Sequence, residues 1–250
     1  VGYTQLQRGN AWFCYDDELL DQDCGSLFDS EWLQAHGCGC MSERGKALMF
    51  EHRGLEMVFK CYRRGGMIGR FVEKSYLFDR LENTRMWREF QLLREMRDMG
   101  LPVPRPVAAR CVRGSSLAYS GELITEKIAD SKTLAETLCL APLNDETWTR
   151  LGKLISRFHQ RNVYHADLNA NNILLTSCGQ IYLIDFDKSE IRSRLRGRDA
   201  GANVRRLRRS LLKLQGKVPV FHFSMRNWQS LENGYAKDRT RWDLRSVAVS

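Results

Sequence analysis

Long apolar runs are missing from these 250 residues: none approaches the roughly 18 needed to cross a membrane as a helix, so no span is expected. The opening stretch, Val1 to Asn10, has neither the basic start nor the apolar block of a secretory signal, and export is not expected. Eight cysteines are present, yet no CxxC pair. The one close pair, Cys38 and Cys40, has no second ligand pair at zinc-site spacing, and a structural zinc asks for four ligands. Scattered thiols of this kind read as reduced cysteines of a cytosolic protein. Internal repeats and low-complexity tracts are absent too. A hydrophobic fraction of 43% beside 28% charged residues excludes a disordered chain.

Acidic charge is also short. The chain carries a formal net charge of +9, and the excess is concentrated. Between Arg192 and Lys213 stand Arg194, Arg196, Arg198, Arg205, Arg206, Arg208 and Arg209, opposed by Asp199 alone. Such a cluster seeks phosphates, on nucleic acid, on anionic lipid or on a phosphorylated substrate. Aromatic residues do not interleave it as they do in single-strand binders, so nucleic acid is not the expected partner.

What is present has a readable order. The first thirty residues are mixed and acidic and are expected as peripheral helix and loop. Ala47 to Phe50 and Leu55 to Tyr62 predict two strands about a turn at Arg53-Gly54, preceded by a loop with Gly37, Gly39 and Gly45. Met86, Phe90, Leu93 and Met96 recur at helical spacing in a predicted helix from Thr84 to Met99, with Gly100 to cap it and Pro102 to forbid continuation. Glu89 falls on that apolar stripe. A carboxylate facing a core costs several kcal/mol unless it is paired. Lys60, set among Val58, Phe59, Cys61 and Tyr62 in mid-strand, has the matching problem, and the two are expected to meet. Glu73, Glu82 and Glu95 are the rival carboxylates, and Glu89 is preferred for its phase. After Pro102, Pro104 and Pro106 comes a further strand pair ending in Glu122 to Ile128. Asn144 then predicts the N-cap of a second long helix burying Trp148, Leu151, Ile155 and Phe158. Strands first and helices after suggest a sheet-rich part followed by a helical part.

The most specific segment is His165-Ala166-Asp167-Leu168-Asn169-Ala170-Asn171-Asn172, followed by the apolar Ile173-Leu174-Leu175. A dozen residues on stands Ile184-Asp185-Phe186-Asp187, ending a short buried strand. This resembles the catalytic loop and metal-binding motif of protein kinases, HRDxxxxN and then DFG. The residue types suit the chemistry. Phosphoryl transfer needs positioning and neutralised phosphate oxygens. Magnesium takes oxygen ligands, so an amide oxygen and a carboxylate suit it, and a second carboxylate must meet the acceptor hydroxyl. Any one Asp or Asn in a loop is usually a turn former. The set at this spacing is a different matter.

The resemblance implies an α+β, protein-kinase-like fold in a single catalytic domain, an antiparallel-sheet N-lobe to about residue 128 and a mainly helical C-lobe after it. It implies ATP and Mg2+ as cofactors, Asp167 as catalytic base, and Asn172 and Asp185 as metal ligands, with His165 bracing the loop. Lys60 would grip the nucleotide's α and β phosphates while Glu89 fixes its direction. Gly37, Gly39 and Gly45 would close over the phosphates, although their spacing is not that of GxGxxG. The carbonyl of Glu126 and the amide of Ile128 would meet adenine. Ala166 in place of the HRD arginine, Asp187 in place of the DFG glycine and the lack of APE remove the parts used by regulated protein kinases.

Further segments narrow the resemblance. Arg88 to Leu93 with Gly100-Leu101-Pro102-Val103-Pro104-Arg105-Pro106 is similar to the bacterial lipopolysaccharide core kinases. Tyr62 to Gly69, Tyr76-Leu77-Phe78, Tyr164 to Asn169 and Ile184 to Lys188 resemble the subgroup acting on 3-deoxy-D-manno-octulosonic acid (Kdo). That subgroup implies phosphorylation of the Kdo 4-hydroxyl on Kdo-lipid IVA, at the cytoplasmic face of a bacterial inner membrane, with no obligate protein partner. Val204, Leu207, Leu211 and Leu214 form one face of a basic helix that either lies on an anionic membrane or packs inward with its charges in water. Rival readings are a heptose kinase of the same core, a small unregulated protein kinase, and a basic membrane-binding pseudokinase.

Overall fold

The computed structural model describes residues 2–22, 24–36, 47–62, 80–114 and 118–247, with side chains given as far as 237 except that of Gln34. Gly37, Gly39, Gly45, Cys38, Cys40, Glu73 and the segments from Arg63 to Gly69 and from Tyr76 to Phe78 lie outside the described residues. The chain divides into two compact units, Val1–Glu95 with Pro104–Lys127, and Met96–Val103 with Ile128–Ser250.

The first unit is built on an antiparallel sheet of β1 (Tyr3–Arg8), β2 (Ala11–Asp16), β3 (Ala47–His52), β4 (Leu55–Cys61), β5 (Pro106–Arg113) and β6 (Tyr119–Glu126), in the order β1-β2-β5-β6-β4-β3. A short helix, α1 (Ser30–His36), precedes β3, and the longer α2 (Arg85–Asp98) follows β4. The β3–β4 turn places Arg53 and Gly54 at φ 54° and 78°. Both central residues of a two-residue hairpin need that left-handed region, which glycine enters freely and arginine at some cost.

The opening thirty residues correct the sequence expectation. They supply two strands, one of them interior to the sheet, because the aromatic run Trp12-Phe13-Cys14-Tyr15 outweighs the acids that follow it. Phe13 and Tyr15 join Phe28, Met57 and Ile124 in the core. Asp16 is buried and survives there through Arg105, whose Nε lies 2.6 Å from its carboxylate. The predicted strand to Ile128 ends two residues early, at Glu126.

The second unit holds α3 (Leu134–Leu140), α4 (Asp145–Gln160), α5 (Gly197–Gln215) and α6 (Met225–Val247). It also holds a three-stranded sheet, β10-β9-β7, and a two-stranded one, β11-β8. These are β7 (Ser131–Thr133), β8 (Val163–Tyr164), β9 (Ile173–Thr176), β10 (Ile181–Leu183) and β11 (Glu190–Ile191). Three helices show their local cause. Asn144 caps α4, accepting from the Thr147 amide at 2.9 Å. Thr133 and Glu136 form a capping box on α3. Gly100, at φ 70°, ends α2; its amide donates to Arg97 and that of Leu101 to Met96, closing the left-handed helix cap. Where α4 and α6 touch, a Cβ added at Gly152 would lie 2.0 Å from the Leu231 carbonyl oxygen, and one added at Gly234 would lie 2.0 Å from that of Thr149. Only hydrogen fits.

The apolar face of α5 is inside. Leu207 and Leu211 are 0% exposed, and Ala200 and Asn203 are buried beside them. Its apolar face packs inward, because those leucines complete the core of the unit, and its basic side is left in water. The described cysteines Cys14, Cys24, Cys61, Cys111, Cys139 and Cys178 are free thiols. Burial pushes the Cys14 thiol up to about 12 and the Cys111 thiol to about 11, so both stay protonated and inert at neutral pH.

Candidate active site

The sequence-predicted site residues fall into two groups, one in each unit. In the first, β4 presents Lys60 and α2 presents Glu89. The Lys60 ammonium lies 3.1 Å from Oε1 and 2.9 Å from Oε2 of Glu89. Glu89 is 4% exposed and Lys60 25%, so the pair is not an ordinary surface contact. The Tyr62 hydroxyl also donates to Oε2 of Glu89. A carboxylate taken this far out of water needs each of those donors. Glu82 and Glu95 are exposed. Tyr62 escaped the sequence reading: it closes a strand pattern, and nothing in that pattern marks its hydroxyl as a partner of Glu89.

In the second unit the loop from His165 to Asn172 joins β8 to β9. His165 is buried and holds the loop through both ring nitrogens. The backbone N–H of Asp167 lies 3.1 Å from Nδ1, and the carbonyl oxygen of Ile184 lies 3.0 Å from Nε2. An N–H can only donate and a carbonyl can only accept, so the proton of the neutral ring sits on Nε2. His165 therefore ties the residue before Asp185 to the residue bearing the candidate base. Its ring packs on Phe186 at 4.7 Å between centroids, and Phe186 stacks on Phe158 of α4 at 6.1 Å.

Asn172 and Asp185 are brought together by a hairpin. β9 and β10 pair antiparallel with Ile173 opposite Leu183, which sets Asn172 opposite Ile184. The Ile184 amide donates to the Asn172 carbonyl at 3.0 Å. The Asn172 side chain is buried, and its Nδ2 donates to the Asp167 carbonyl at 2.9 Å. That bond settles which end of the amide is which and leaves Oδ1 without a hydrogen bond among the described residues. Asp185 follows at φ 61°, a left-handed conformation that aspartate tolerates better than most residues. A buried amide oxygen with no hydrogen bond among the described residues, and an exposed carboxylate one residue beyond its paired position on the hairpin, are donors of the type a hard divalent ion takes.

The Asp167 carboxylate is 56% exposed and held at both oxygens. Oδ2 accepts from Asn169 Nδ2 at 3.0 Å, and Oδ1 accepts from Arg206 Nη1 at 3.0 Å. Arg206 comes from α5, which is the platform beneath the loop. Asn203 bonds both sides of His165, accepting from its N–H at 3.1 Å and donating to its carbonyl at 2.9 Å. Ser210 accepts from the Ala170 amide at 3.2 Å. Residues 203, 206 and 210 lie on one face of the helix, three and four apart. The Ser189 hydroxyl accepts from the Ala166 amide at 3.0 Å. The sequence reading put Arg206 in a general basic cluster and missed Asn203, Ser210 and Ser189. Spacing alone could have grouped the three helix residues, but not shown that their face meets the loop.

Of the remaining sequence-predicted residues, Glu126 closes β6, its amide donating to the Arg105 carbonyl at 2.9 Å. Ile128 opens the second unit, its carbonyl accepting from the Ser131 hydroxyl at 2.7 Å.

Comparison with known proteins gives a consistent set. Residues 31–235 match the lipopolysaccharide kinase (Kdo/WaaP) family. A 3-deoxy-D-manno-octulosonic acid kinase of Photobacterium profundum is 39% identical over 233 residues, covering 92% of this chain and 97% of that one. One of Haemophilus influenzae (strain 86-028NP) is 33% identical, covering 92% and 98%. One of Vibrio cholerae serotype O1 is 36% identical, covering 81% and 85%. Among solved structures, WaaP in complex with acyl carrier protein aligns with a TM-score of 0.57 at 16% identity, covering 92% of each chain, a likeness of fold.

Proposed function

Since the chain belongs to the lipopolysaccharide kinase (Kdo/WaaP) family, we propose that it transfers the γ-phosphoryl group of ATP to the 4-hydroxyl of Kdo on a Kdo-lipid IVA acceptor. It is a phosphotransferase of protein-kinase-like α+β fold. The observation that carries the reading is the Asn172 amide. Its nitrogen is spent on the loop that bears Asp167, so its oxygen is left to a ligand beside Asp185.

Asp167 orients the acceptor hydroxyl and takes its proton as the oxygen attacks phosphorus. Arg206 and Asn169 hold its two oxygens in place. Each carboxylate oxygen accepts more than one hydrogen bond, so room remains for the hydroxyl. Asn172 Oδ1 and the Asp185 carboxylate are the residues that would hold magnesium, which supplies charge to neutralise phosphate oxygens. Lys60, aligned by Glu89 and Tyr62, takes the α and β phosphates. By resemblance Gly37, Gly39 and Gly45 are assigned to the phosphates, and the Glu126 carbonyl and Ile128 amide to adenine. The acceptor is a lipid, and no helix among the described residues is long and apolar enough to cross a membrane. Peripheral attachment at the cytoplasmic face of the inner membrane suits both.

The test is incubation of the purified protein with ATP, magnesium and Kdo-lipid IVA, with the acceptor read by mass spectrometry. A gain of one phosphate is expected, and none with Asp167→Ala, whose ATP binding is retained. A gain on a heptose-bearing core acceptor but not on Kdo-lipid IVA would reassign the acceptor. ATP binding with no transfer to any acceptor would make the protein a pseudokinase.

A further inference from the structure

The loop from His165 to Asn172 contains no lysine or arginine, yet an anionic reaction is to run beside it. The cation at its carboxylate is imported. Arg206 arrives from 39 residues downstream and sets Nη1 3.0 Å from Asp167 Oδ1. Its place is fixed from either side on the same helix face by Asn203, bonded to both ends of His165, and by Ser210, bonded to the Ala170 amide. Asn203 is steadied in turn by His159 of α4, whose Nε2 lies 3.4 Å from its Oδ1.

As a stabilising ion pair this contact is worth little. Arg206 is 43% exposed and Asp167 56%, and such pairs contribute about 0–1 kcal/mol. Its unused capacity is more telling. A guanidinium has five N–H donors in a rigid fork, and among the described residues only Nη1 of Arg206 is engaged. The open edge, Nε and Nη2, matches a carboxylate or phosphate. It lies next to the group that receives the acceptor's proton.

Resting on the reading above, we infer that Arg206 is a specificity-determining residue that binds the carboxylate of the acceptor sugar. Kdo is an ulosonic acid. Its carboxylate is attached to C2, and the hydroxyl proposed to react is on C4, with the single methylene C3 between. A sugar whose 4-hydroxyl hydrogen-bonds Asp167 therefore presents its carboxylate to the neighbouring guanidinium. A heptose has no such anion and leaves the fork unfilled. One arginine thus serves two anions, orienting the base through Nη1 and the acceptor through its other edge.

The test pairs a protein change with a substrate change. Kdo-lipid IVA and its Kdo C1 methyl ester are offered to the wild type, Arg206→Lys and Arg206→Gln, with thermal midpoints confirming that each is folded. On the native acceptor, Arg206→Gln should lower kcat/KM for the acceptor by about tenfold to a hundredfold, the usual range for a hydrogen bond between charged groups. KM for ATP should not move, and Arg206→Lys should recover part of the loss. Wild type should lose a similar factor on the ester, and Arg206→Gln should lose little more on it. Losses that multiply would overturn the inference, and so would an equal fall of kcat on both acceptors, which would leave Arg206 with the orienting of Asp167 alone. Unchanged kinetics in Arg206→Gln would reduce the contact to a surface ion pair. Failure of the wild type to phosphorylate Kdo at all would remove the functional reading itself, a different outcome from any of these.

Discussion

At the scale of single residues, His165 shows how one buried side chain can hold a loop in place. Asp167's backbone N–H must find an acceptor, the Ile184 carbonyl must find a donor, and one neutral imidazole satisfies both. His165→Ala would leave two polar groups unpaired, each costing about 1–3 kcal/mol, and would free Asp167 from Asp185. We expect stability to fall by about 2–6 kcal/mol and kcat by at least about tenfold, read by denaturant unfolding and steady-state transfer. Retained kcat in a folded variant would mean the loop is braced elsewhere. Asp167, Asn172 and Asp185 could be marked in the sequence because their chemistry lies in their types and their spacing is short. Lys60 and Glu89 could be matched because each was a charge in an apolar setting, and a buried charge requires a partner. Tyr62 and Arg206 lacked any such signal. A tyrosine at a strand end and one arginine in a basic cluster are ordinary until a fold places them.

At the scale of elements, α2 and α4 were legible together with their buried faces, whereas α3 and α6 were not anticipated and the orientation of α5 stayed open. The α2 boundaries, its glycine cap and the Asn144 cap of α4 follow from local chemistry and agree with the expected limits to within a residue or so. The role of α5 could not be read, because a helix with apolar and basic faces satisfies either lipid or a protein core. Packing decided it. The α4–α6 contact belongs to this scale as well. With a Cβ at residue 152 only 2.0 Å from a backbone oxygen, Gly152→Ala must push the two helices apart. Overpacking of this kind costs about 1–3 kcal/mol, more where backbone is struck. The outcome to measure is a lower denaturation midpoint, with transfer activity lost in proportion to unfolding. A variant as stable as wild type would mean that α6 can shift at no cost. The first two strands mark the reverse error, where a conspicuous acidic stretch drew the eye from a short aromatic run.

At the scale of the molecule, the charge of +9 needs a reason other than folding. Arg205, Arg209 and Lys213 lie exposed on α5, and no ion pair among the described residues uses them. Basic residues near an anionic membrane surface contribute about 1 kcal/mol each, screened over a Debye length. Replacing these three by serine should weaken sedimentation with phosphatidylglycerol vesicles, most clearly at low salt, while thermal stability stays unchanged. Arg206 is left intact in that variant, because its place beside Asp167 would confuse attachment with turnover. Equal sedimentation at low salt would show that these charges do not face lipid.

By itself the sequence marked the candidate reacting groups, the order of strands before helices and the membership of a kinase family, since each rests on residue type and short spacing. Tertiary structure alone decided that α5 turns its leucines inward and lends Arg206 to Asp167, and that Tyr62 meets Glu89. The physical reason is range. Capping, periodicity and motif chemistry act within a few residues, whereas the partner of a side chain 39 positions away depends on which of two faces the surrounding core accepts.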